Sequence, residues 1–429
     1  MNVKLPLGFI EQLAPLLGSE LPSFVASYEE EACRGLRMRP GFPQPEDAQE
    51  AVPWAENAFR VPFESTDGAM IAHEAGAYYM QEPSAMAAAA ALKPVPGDRV
   101  LDLCAAPGGK STQLAAYMQG EGVLVCNEPH PARVQILSRN VERMGIANAV
   151  VVSSLPEKLC KVWEGFFDKV LVDAPCSGEG MFRRHPESRD EWEVTSPVRC
   201  ADRQKQILSC AAMMLRPGGE MVYSTCTFNE QENEEVIRHF LMEHEDFETV
   251  AFELPGIGAC EGMLRVWPHR VRGEGHFVAK LRRRGDAVLP DGEKQPAPDK
   301  NAMAAAQTFF RDADMHLPGQ ICAFGTQLVC PPVAVPPIKG IKVLRLGLHL
   351  GQMKGKVFAP DHAPALALKA AKCVDAGVQE ALQYLHGETL HCADDLRGWV
   401  IVRFDGMQLG WGKASDGQIK NHYPKGLRK

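Results

Sequence analysis

Residues 101–112 read LDLCAAPGGKST, a glycine turn that directly follows a short apolar run. A nucleoside-triphosphate loop needs Gly at two positions five residues apart before Lys-Ser, so that its backbone N–H groups can cradle phosphate. Counting back from Gly109, Cys104 stands where the first of these glycines should be. The signature of an ATPase therefore fails, and the turn predicts a site for another nucleotide-like ligand.

The glycine turn belongs to an alternation of apolar runs and helical patterns between Asp98 and about Arg284. The apolar runs are RVLDLCA, GVLVCNE, AVVVSS, DKVLVDAP, EMVYSTC and GHFVAKL. Between two of them, Val134, Leu137 and Met144 fall on one face of a helical pattern. Strands rich in Val and Leu, each followed by a helix, predict an α/β fold with a parallel sheet covered on both faces.

The regions on either side of this alternation have other patterns. LGFIEQLAPLL at 7–17 predicts an amphipathic helix, and SAMAAAAAL at 84–92 predicts an Ala-rich one. Residues 285–300 are polar and proline-rich, which predicts a linker. Beyond it, short apolar runs separated by Gly and Pro predict a small β-rich region with one Ala-rich helix near 363–371.

Composition and charge exclude several classes of protein. The net charge of −8 argues against a surface that coats nucleic acid nonspecifically, although local basic stretches occur at 280–284 and 413–429. The thirteen cysteines include no Cys-x-x-Cys pair, which argues against zinc ribbons and bound metal. With neither a signal-peptide pattern nor an apolar run of about 20 residues, the sequence predicts a soluble, cytoplasmic protein without a membrane span.

An acidic residue follows the glycine turn at the spacing of a ribose-binding carboxylate. Glu128 ends the second strand, eighteen residues past Lys110, and a carboxylate at that place can accept both ribose hydroxyls. Gly108 and Gly109 let the backbone approach a ligand closely. The sequence has no second phosphate-binding glycine pattern. The ligand that fits this turn best is therefore a nucleoside with an amino-acid tail, such as S-adenosylmethionine. The alternative interpretation is a tight turn with an exposed Glu.

Two cysteines follow the ends of neighbouring predicted strands. Asp173 and Cys176 lie in DAPCSGEG after the fourth strand, and Cys226 ends YSTC after the fifth. Ligands of open α/β sheets bind at the carboxyl ends of the strands, so these side chains are expected in the same crevice as the glycine turn. Either thiol alone would be typical of a packed core, but the two together favour a catalytic role.

In eight segments the sequence resembles the RNA cytosine-C5 methyltransferases of the Sun/RsmB type. The matching segments are YYMQEPSAM (78–86), LDLCAAPGGK (101–110), NEPHPAR (127–133), DAPCSGEGMFR (173–183), YSTCTFNEQENE (223–234), WPHRVRGEGHF (267–277), GLHLG (347–351) and LGWGKASDGQIKNHYPKGLR (409–428). The resemblance implies a Rossmann-like domain that uses S-adenosylmethionine, an N-terminal α+β RNA-binding region and a small, β-rich, PUA-like C-terminal region. It divides the chain into an N-terminal region at 1–92, the methyltransferase domain at 93–284, the linker at 285–300, a first C-terminal domain at 301–375 and the PUA-like domain at 376–429.

The resemblance also implies the catalytic roles. It assigns to Cys226 the attack on C6 of cytosine and to Cys176 help in releasing the product. The reverse assignment, in which Cys176 attacks, stays open, because the thiol of the Pro-Cys motif is the attacking group in the DNA cytosine-C5 methyltransferases. Asp173 is expected to bind the base near N3 and N4 or the methionine ammonium of the donor, and Lys110 to steady negative charge beside it.

The expected donor site combines the glycine turn with residues at the ends of the next two strands. Glu128 is expected on the ribose and Arg133 as a support of the donor site, although a plain surface arginine remains possible. The stretch VVVSSLPEKL lacks the carboxylate that the family often places near adenine, so Ser154 or backbone is expected to substitute. The full set is Cys104, Ala105, Ala106, Pro107, Gly108, Gly109, Lys110, Glu128, Arg133, Ser154 and Asp173.

The substrate implied by the resemblance is RNA, 16S ribosomal RNA of the small subunit in particular. Transfer RNA is the enzymatic alternative, and a non-catalytic ribosome-assembly factor is the alternative from another class. In the basic tail, Trp411 and Tyr423 are expected to stack on bases beside the cations. Arg34, Arg37 and Arg39 are expected to contact phosphates.

Overall fold

The computed structural model describes residues 5–42, 44, 48–62 and 71–429. The N-terminal region pairs a helical segment with a small sheet of order β2-β1-β3. Its elements are α1 (Leu7–Leu17), α2 (Leu21–Ala26), β1 (Arg34–Met38), β2 (Ala58–Val61), α3 (Ile71–Glu74) and β3 (Tyr78–Met80). The predicted first helix is confirmed at 7–17, and its apolar face buries Phe9 and Leu13.

The central domain alternates strands and helices as the sequence predicted. Its elements are α4 (Met86–Leu92), β4 (Arg99–Asp102), α5 (Gly109–Met118), β5 (Val123–Asn127), α6 (Pro131–Arg143), β6 (Ala149–Ser153), α7 (Pro156–Leu159), β7 (Phe167–Asp173), α8 (Pro186–Glu191), α9 (Ser196–Met214), β8 (Leu215–Thr225), α10 (Glu234–Glu243), β9 (Phe247–Thr249), β10 (Phe252–Leu254), β11 (Gly258–Cys260), β12 (Met263–Val266) and β13 (His276–Arg283).

The C-terminal region contains two further sheets. Its elements are α11 (Lys300–Asp312), β14 (Cys322–Phe324), β15 (Gln327–Cys330), β16 (Lys342–Leu346), β17 (Leu348–Lys354), β18 (Val357–Pro360), α12 (Ala363–Ala367), β19 (Cys373–Asp375), α13 (Val378–His386), β20 (Leu390–His391), β21 (Gly398–Phe404), β22 (Met407–Ser415) and β23 (Gln418–Asn421). The sheets have the orders β14-β15-β17-β18 and β19-β21-β22-β23-β20. The Ala-rich helix α12 is shorter than the sequence indicated.

The central sheet has the order β12-β13-β8-β7-β4-β5-β6-β16. Strands β4 to β8 run parallel, and β13 adds antiparallel to β8. All five residues of β5 are buried, as expected for a parallel strand covered on both faces. The predicted α/β sheet is confirmed, and the carboxyl ends of β4, β5, β7 and β8 meet at one edge.

One strand of this sheet comes from beyond the linker. β16 pairs antiparallel with β6, with Leu346 opposite Val150, so the C-terminal region completes the edge of the central sheet. Within the described ranges, no helix has the length and apolar character needed to cross a bilayer.

Candidate active site

The carboxyl edge of the sheet holds a charged pair between two strand ends. Lys110 lies in the first turn of α5, and its Nζ contacts Asp173 Oδ2 at the end of β7 over 2.8 Å. Burial alone would lower the pKa of Lys110, but the Asp173 carboxylate outweighs it and the pKa is raised. Burial alone would raise the pKa of Asp173, yet the Lys110 ammonium holds it well below its usual value. The site therefore keeps an ammonium and a carboxylate in contact at neutral pH.

The two cysteines named from the sequence lie side by side. Cys176 follows β7 and Cys226 follows β8, and their Sγ atoms are 3.3 Å apart. The backbone N–H of Gly180 donates to the carbonyl of Cys226 over 2.8 Å. A Cβ at Gly180 would lie 3.0 Å from that carbonyl oxygen, so only glycine lets the two cysteine loops approach this closely.

Two buried carboxylates fix the cysteine loops to each other. Glu232 accepts the backbone N–H of Ser177 over 2.9 Å and the amide of Gln204 over 2.8 Å, and it also accepts from the Ser177 hydroxyl. Glu179 accepts the N–H of Phe228 over 2.8 Å, and burial raises its pKa. Neither carboxylate was predicted as a site residue, although Glu179 lies in DAPCSGEGMFR and Glu232 in YSTCTFNEQENE. They position the thiols without touching them.

The predicted donor turn is held rigidly by side chains outside it. Gly108 has φ of +115°, a backbone conformation that favours glycine. Arg133 donates to the carbonyl of Ala106 over 2.8 Å, and Asn140 donates to that of Pro107 over 2.9 Å. The backbone N–H of Ala105 donates to Asn127. The turn thus presents a preformed backbone surface ahead of α5.

The other expected donor contacts lie at the neighbouring strand ends. Glu128 is buried after β5, accepts the N–H of His130 over 2.8 Å and lies 3.3 Å from Arg133. Ser154 follows β6, and its N–H donates to Asn127 Oδ1 over 3.1 Å. Burial raises the pKa of the Cys104 thiol. The structure thus brings the glycine turn, Glu128 and Ser154 to one edge of the sheet.

A third buried carboxylate, next to the glycine turn, was also not predicted from the sequence. Asp102 ends β4, and its Oδ2 accepts from the Ser111 hydroxyl over 2.6 Å. Burial raises the pKa of Asp102 to about 7. An acidic residue at the end of the first strand, nine residues before Ser111, was the signal that could have identified it.

Three expected RNA contacts are wrong, because their side chains are buried. Trp411 is 2% exposed and its indole N–H donates to the carbonyl of Asp361 over 2.8 Å. Tyr423 is also 2% exposed and contacts Glu74. Arg37 is 2% exposed and donates to Thr112 Oγ1 over 2.6 Å at the first turn of α5. Each therefore packs between elements of the protein and cannot reach RNA.

The chain matches known protein families along most of its length. Residues 89–282 match the family described as 16S rRNA methyltransferase RsmB/F. Three further matches are to the N-terminal domain of 16S rRNA methyltransferase RsmF at 5–83, the RsmF rRNA methyltransferase first C-terminal domain at 308–368 and the methyltransferase RsmF PUA domain at 371–429.

Two relatives are called ribosomal RNA small subunit methyltransferase F. The protein from Vibrio atlanticus is 31% identical, over 99% of this chain and 98% of the relative. The protein from Shewanella loihica is 33% identical, over 88% of this chain and 83% of the relative.

Two solved structures from Pyrococcus horikoshii share the fold. A methyltransferase homolog protein has a TM-score of 0.52 and 28% identity, over 65% of this chain and 100% of that chain. NSun6, in a crystal structure with SFG, has a TM-score of 0.54 and 21% identity, over 67% of this chain and 100% of that chain.

Proposed function

Because the chain belongs to the 16S rRNA methyltransferase RsmB/F family, we propose that it methylates C5 of cytosine in 16S ribosomal RNA through a covalent bond between Cys226 and C6. The methyl donor is S-adenosylmethionine. The observation that carries the proposal is the 3.3 Å contact between two thiols at adjoining strand ends. A protein that only binds RNA has no need of two thiols in its crevice.

The chemistry explains why a thiol is needed. C5 of cytosine is a poor nucleophile, and a thiolate that adds to C6 makes the ring enamine-like and nucleophilic at C5, which divides one hard step into easier ones. The S–C6 bond forms first, and C5 then gains the methyl group. Loss of the C5 proton to a base and cleavage of the S–C6 bond restore the aromatic ring and the free thiol.

The resemblance to the Sun/RsmB-type enzymes assigns different roles to the two thiols. The hydrogen bond with Cys226, together with burial, raises the pKa of Cys176, so Cys176 keeps its proton at neutral pH. The attacking sulfur must be a thiolate, and we assign this role to Cys226. Cys176, in contact with the attacking sulfur, assists its release from C6.

The residues at the sheet edge fit the donor. Positive φ at Gly108 and the helix that begins at Gly109 leave backbone N–H groups free to bind the methionine end, and the buried carboxylate of Glu128 fits the ribose. We propose the backbone of 104–110, with Glu128, Arg133, Ser154 and Asp173, as the donor site. Bound there, S-adenosylmethionine supplies the methyl group as an electrophile on sulfur.

Asp173 and Lys110 are proposed to act on the base. Charge on the N3–C4 edge of cytosine changes as the thiolate adds to C6. A carboxylate and an ammonium that already lie 2.8 Å apart stabilise this change without reorganisation, which is the general advantage of preorganised charges.

The RNA must present an accessible cytosine. A paired base would have to be unstacked at a cost of a few kcal/mol, so a loop or single strand is the favoured target. We propose the small ribosomal subunit, with its exposed 16S segments, as the physiological partner.

A surface for RNA remains on the C-terminal sheet, although Trp411 and Tyr423 are buried. The Trp399 ring lies 4.5 Å from the ring of His422 and 5.7 Å from Lys413 Nζ. Burial lowers the pKa of His422, and the charges of Lys420, Lys413 and Lys354 add to this. A partly exposed indole ring surrounded by exposed lysines fits single-stranded RNA. The bases would stack on the ring, and the phosphates would bind the ammonium groups.

Trp399→Ala is expected to weaken RNA binding about 5- to 150-fold, because one stacked base contributes about 1–3 kcal/mol. Lys413→Ala is expected to weaken it less and to reduce the salt dependence by about one phosphate contact. Fluorescence titration at several salt concentrations measures both effects. Lys161→Ala, an exposed lysine in another domain, is the control. Equal affinities for Trp399→Ala and the wild type would rule out this surface.

Bisulfite sequencing of ribosomal and transfer RNA, from cells with and without the gene, tests the proposed function. We expect a 5-methylcytosine in 16S RNA that disappears with the gene and returns with the cloned chain. A lost signal in transfer RNA alone would establish the alternative substrate. Donor binding by the purified protein without methylation of any RNA would instead indicate an assembly factor.

A further inference from the structure

His276 is a buried residue of the crevice with no role in the chemistry described so far. It begins β13, where it pairs with Val266 of β12, and it is 2% exposed. Its Nε2 lies 3.6 Å from Asp173 Oδ1, slightly beyond hydrogen-bond distance. The imidazole therefore lies next to the Asp173 carboxylate.

Both ring nitrogens of His276 are buried, and neither has a hydrogen-bond partner among the described residues. Buried polar groups in folded proteins are nearly always satisfied, and an orphaned one calls for an explanation. Leaving such a group unpaired costs about 1–3 kcal/mol, whereas a phenyl ring at the same place would avoid this cost. The cost points to an interaction that forms in another state of the enzyme.

Asp173 offers one place for that interaction. Its Oδ1 accepts from the Ser224 hydroxyl over 2.8 Å, and its Oδ2 accepts from Lys110 over 2.8 Å. A carboxylate has about four acceptor positions, so one position remains on each oxygen. His276 stands beside Oδ1, which leaves the remaining position on Oδ2 for the crevice.

We propose that His276 is a positioning residue for methyl transfer: its Nε2–H donates to Asp173 Oδ1 when cytosine is bound and holds the carboxylate with its last acceptor position toward the base. The inference rests on the proposed function. Catalytic hydrogen bonds are commonly long in the free enzyme and shorten in the complex, and here the gap to close is small. With three donors fixed on it, Asp173 cannot turn away from the amino group of the base.

Burial and the Lys110 ammonium keep the ring a neutral donor, against the opposite effect of two carboxylates that face it. The charged groups around the ring are Lys110 from α5, Asp173 from β7 and Glu82 from the segment before α4, while β8 and β12 contribute Ser224 and Val266. Burial lowers the pKa of His276, and Lys110 adds to this, so the ring is uncharged at neutral pH. A neutral imidazole can donate from Nε2 without adding a second cation beside Lys110.

The test compares three variants of similar size. His276→Gln places an amide N–H near the position of Nε2, His276→Asn places one near Nδ1, and His276→Phe keeps a ring without a donor. Single-turnover methylation is measured with RNA and S-adenosylmethionine at saturation, over a range of pH. Donor affinity by calorimetry and thermal melting accompany each variant.

We expect His276→Phe and His276→Asn to slow methyl transfer about 10- to 100-fold, as small misplacements of reacting groups do, and His276→Gln to stay close to the wild-type rate. Without the imidazole donor, the pKa of Asp173 rises, so the acid limb of the pH profile moves to higher pH in His276→Phe. Donor affinity should change less than the rate, because the backbone of 104–110 and Glu128 also hold the donor.

Two results would overturn the inference. A His276→Phe enzyme with the wild-type rate and an unmoved acid limb would show that the ring is only packing, even if the protein melted at a lower temperature. Equal losses in His276→Gln and His276→Phe would show that the donor is not what matters. A wild-type protein that methylates no cytosine in the same assay would instead contradict the proposed function, and the inference would fall with it.

Discussion

Cys226→Ala is expected to abolish methyl transfer, with a loss of at least about four orders of magnitude, as removal of a nucleophile causes in other covalent enzymes. Without the Cys226 thiolate, C6 has no partner and C5 remains a poor nucleophile. The same variant should form no covalent complex with RNA. Transfer of a radioactive methyl group to 16S RNA measures the first effect, and a denaturing gel measures the second.

Cys176→Ala is expected to have the opposite effect on the covalent complex. The Sγ of Cys176 contacts that of Cys226, so its loss should leave attack intact and slow the release of the enzyme from C6. Covalently bound RNA should therefore accumulate. Cys392→Ala, a partly exposed thiol in the C-terminal region, is the matched control. Accumulation with Cys226→Ala and none with Cys176→Ala would show that the roles are reversed.

Asp173→Asn is expected to slow methyl transfer about 100- to 1,000-fold, the usual effect of removing one preorganised charge from an active site. The amide cannot compensate for the charge that develops on the base, and it leaves the Lys110 ammonium without its counterion. Single-turnover rates measure the effect, and Asp190→Asn, an exposed aspartate on α8, is the control. A wild-type rate for Asp173→Asn would contradict the role on the base.

Stability and catalysis can be separated in the same set of variants. Removing one partner of a partly buried ion pair destabilises a protein. The stability of Lys110→Met and of the double variant Lys110→Met/Asp173→Asn is therefore measured together with that of Asp173→Asn. The pKa of Asp173 is lower in the folded protein than in the unfolded chain. The pair therefore stabilises the fold fully at neutral pH. This contribution is lost as the pH falls into the acid range and Asp173 takes up a proton, and it is also lost at alkaline pH once Lys110, whose pKa is raised, gives up its proton.

The main sheet and its crevice could be predicted because local patterns determine them. Alternating apolar runs and helices indicate parallel strands, and parallel strands bring their carboxyl ends together. That geometry alone places Cys176, Cys226 and the glycine turn at one edge of the sheet. The roles of the individual side chains do not follow from the pattern and remain proposals.

What the sequence could not predict depends on contacts between distant segments. β16 joins β6 across nearly 200 residues of chain, and no local signal distinguishes such an edge strand from one in a separate domain. Trp411 and Tyr423 lie in or next to a stretch whose basic and aromatic residues are typical of an RNA-binding surface. Their burial depends on which face of each element packs inward, and the composition does not indicate that. His276 lies in the apolar run GHFVAKL, which predicts a strand, and only its distance to Asp173 indicates a role.

Mass spectrometry of a trapped complex tests the covalent route most directly. A 16S fragment with 5-fluorocytosine at the target position cannot lose a proton from C5, so the wild-type enzyme and S-adenosylmethionine should stop at the methylated adduct. After digestion with nuclease and protease, we expect the nucleotide on the peptide that contains Cys226. A nucleotide on Cys176, or methylated RNA that is never linked to the protein, would contradict the proposed attack by Cys226.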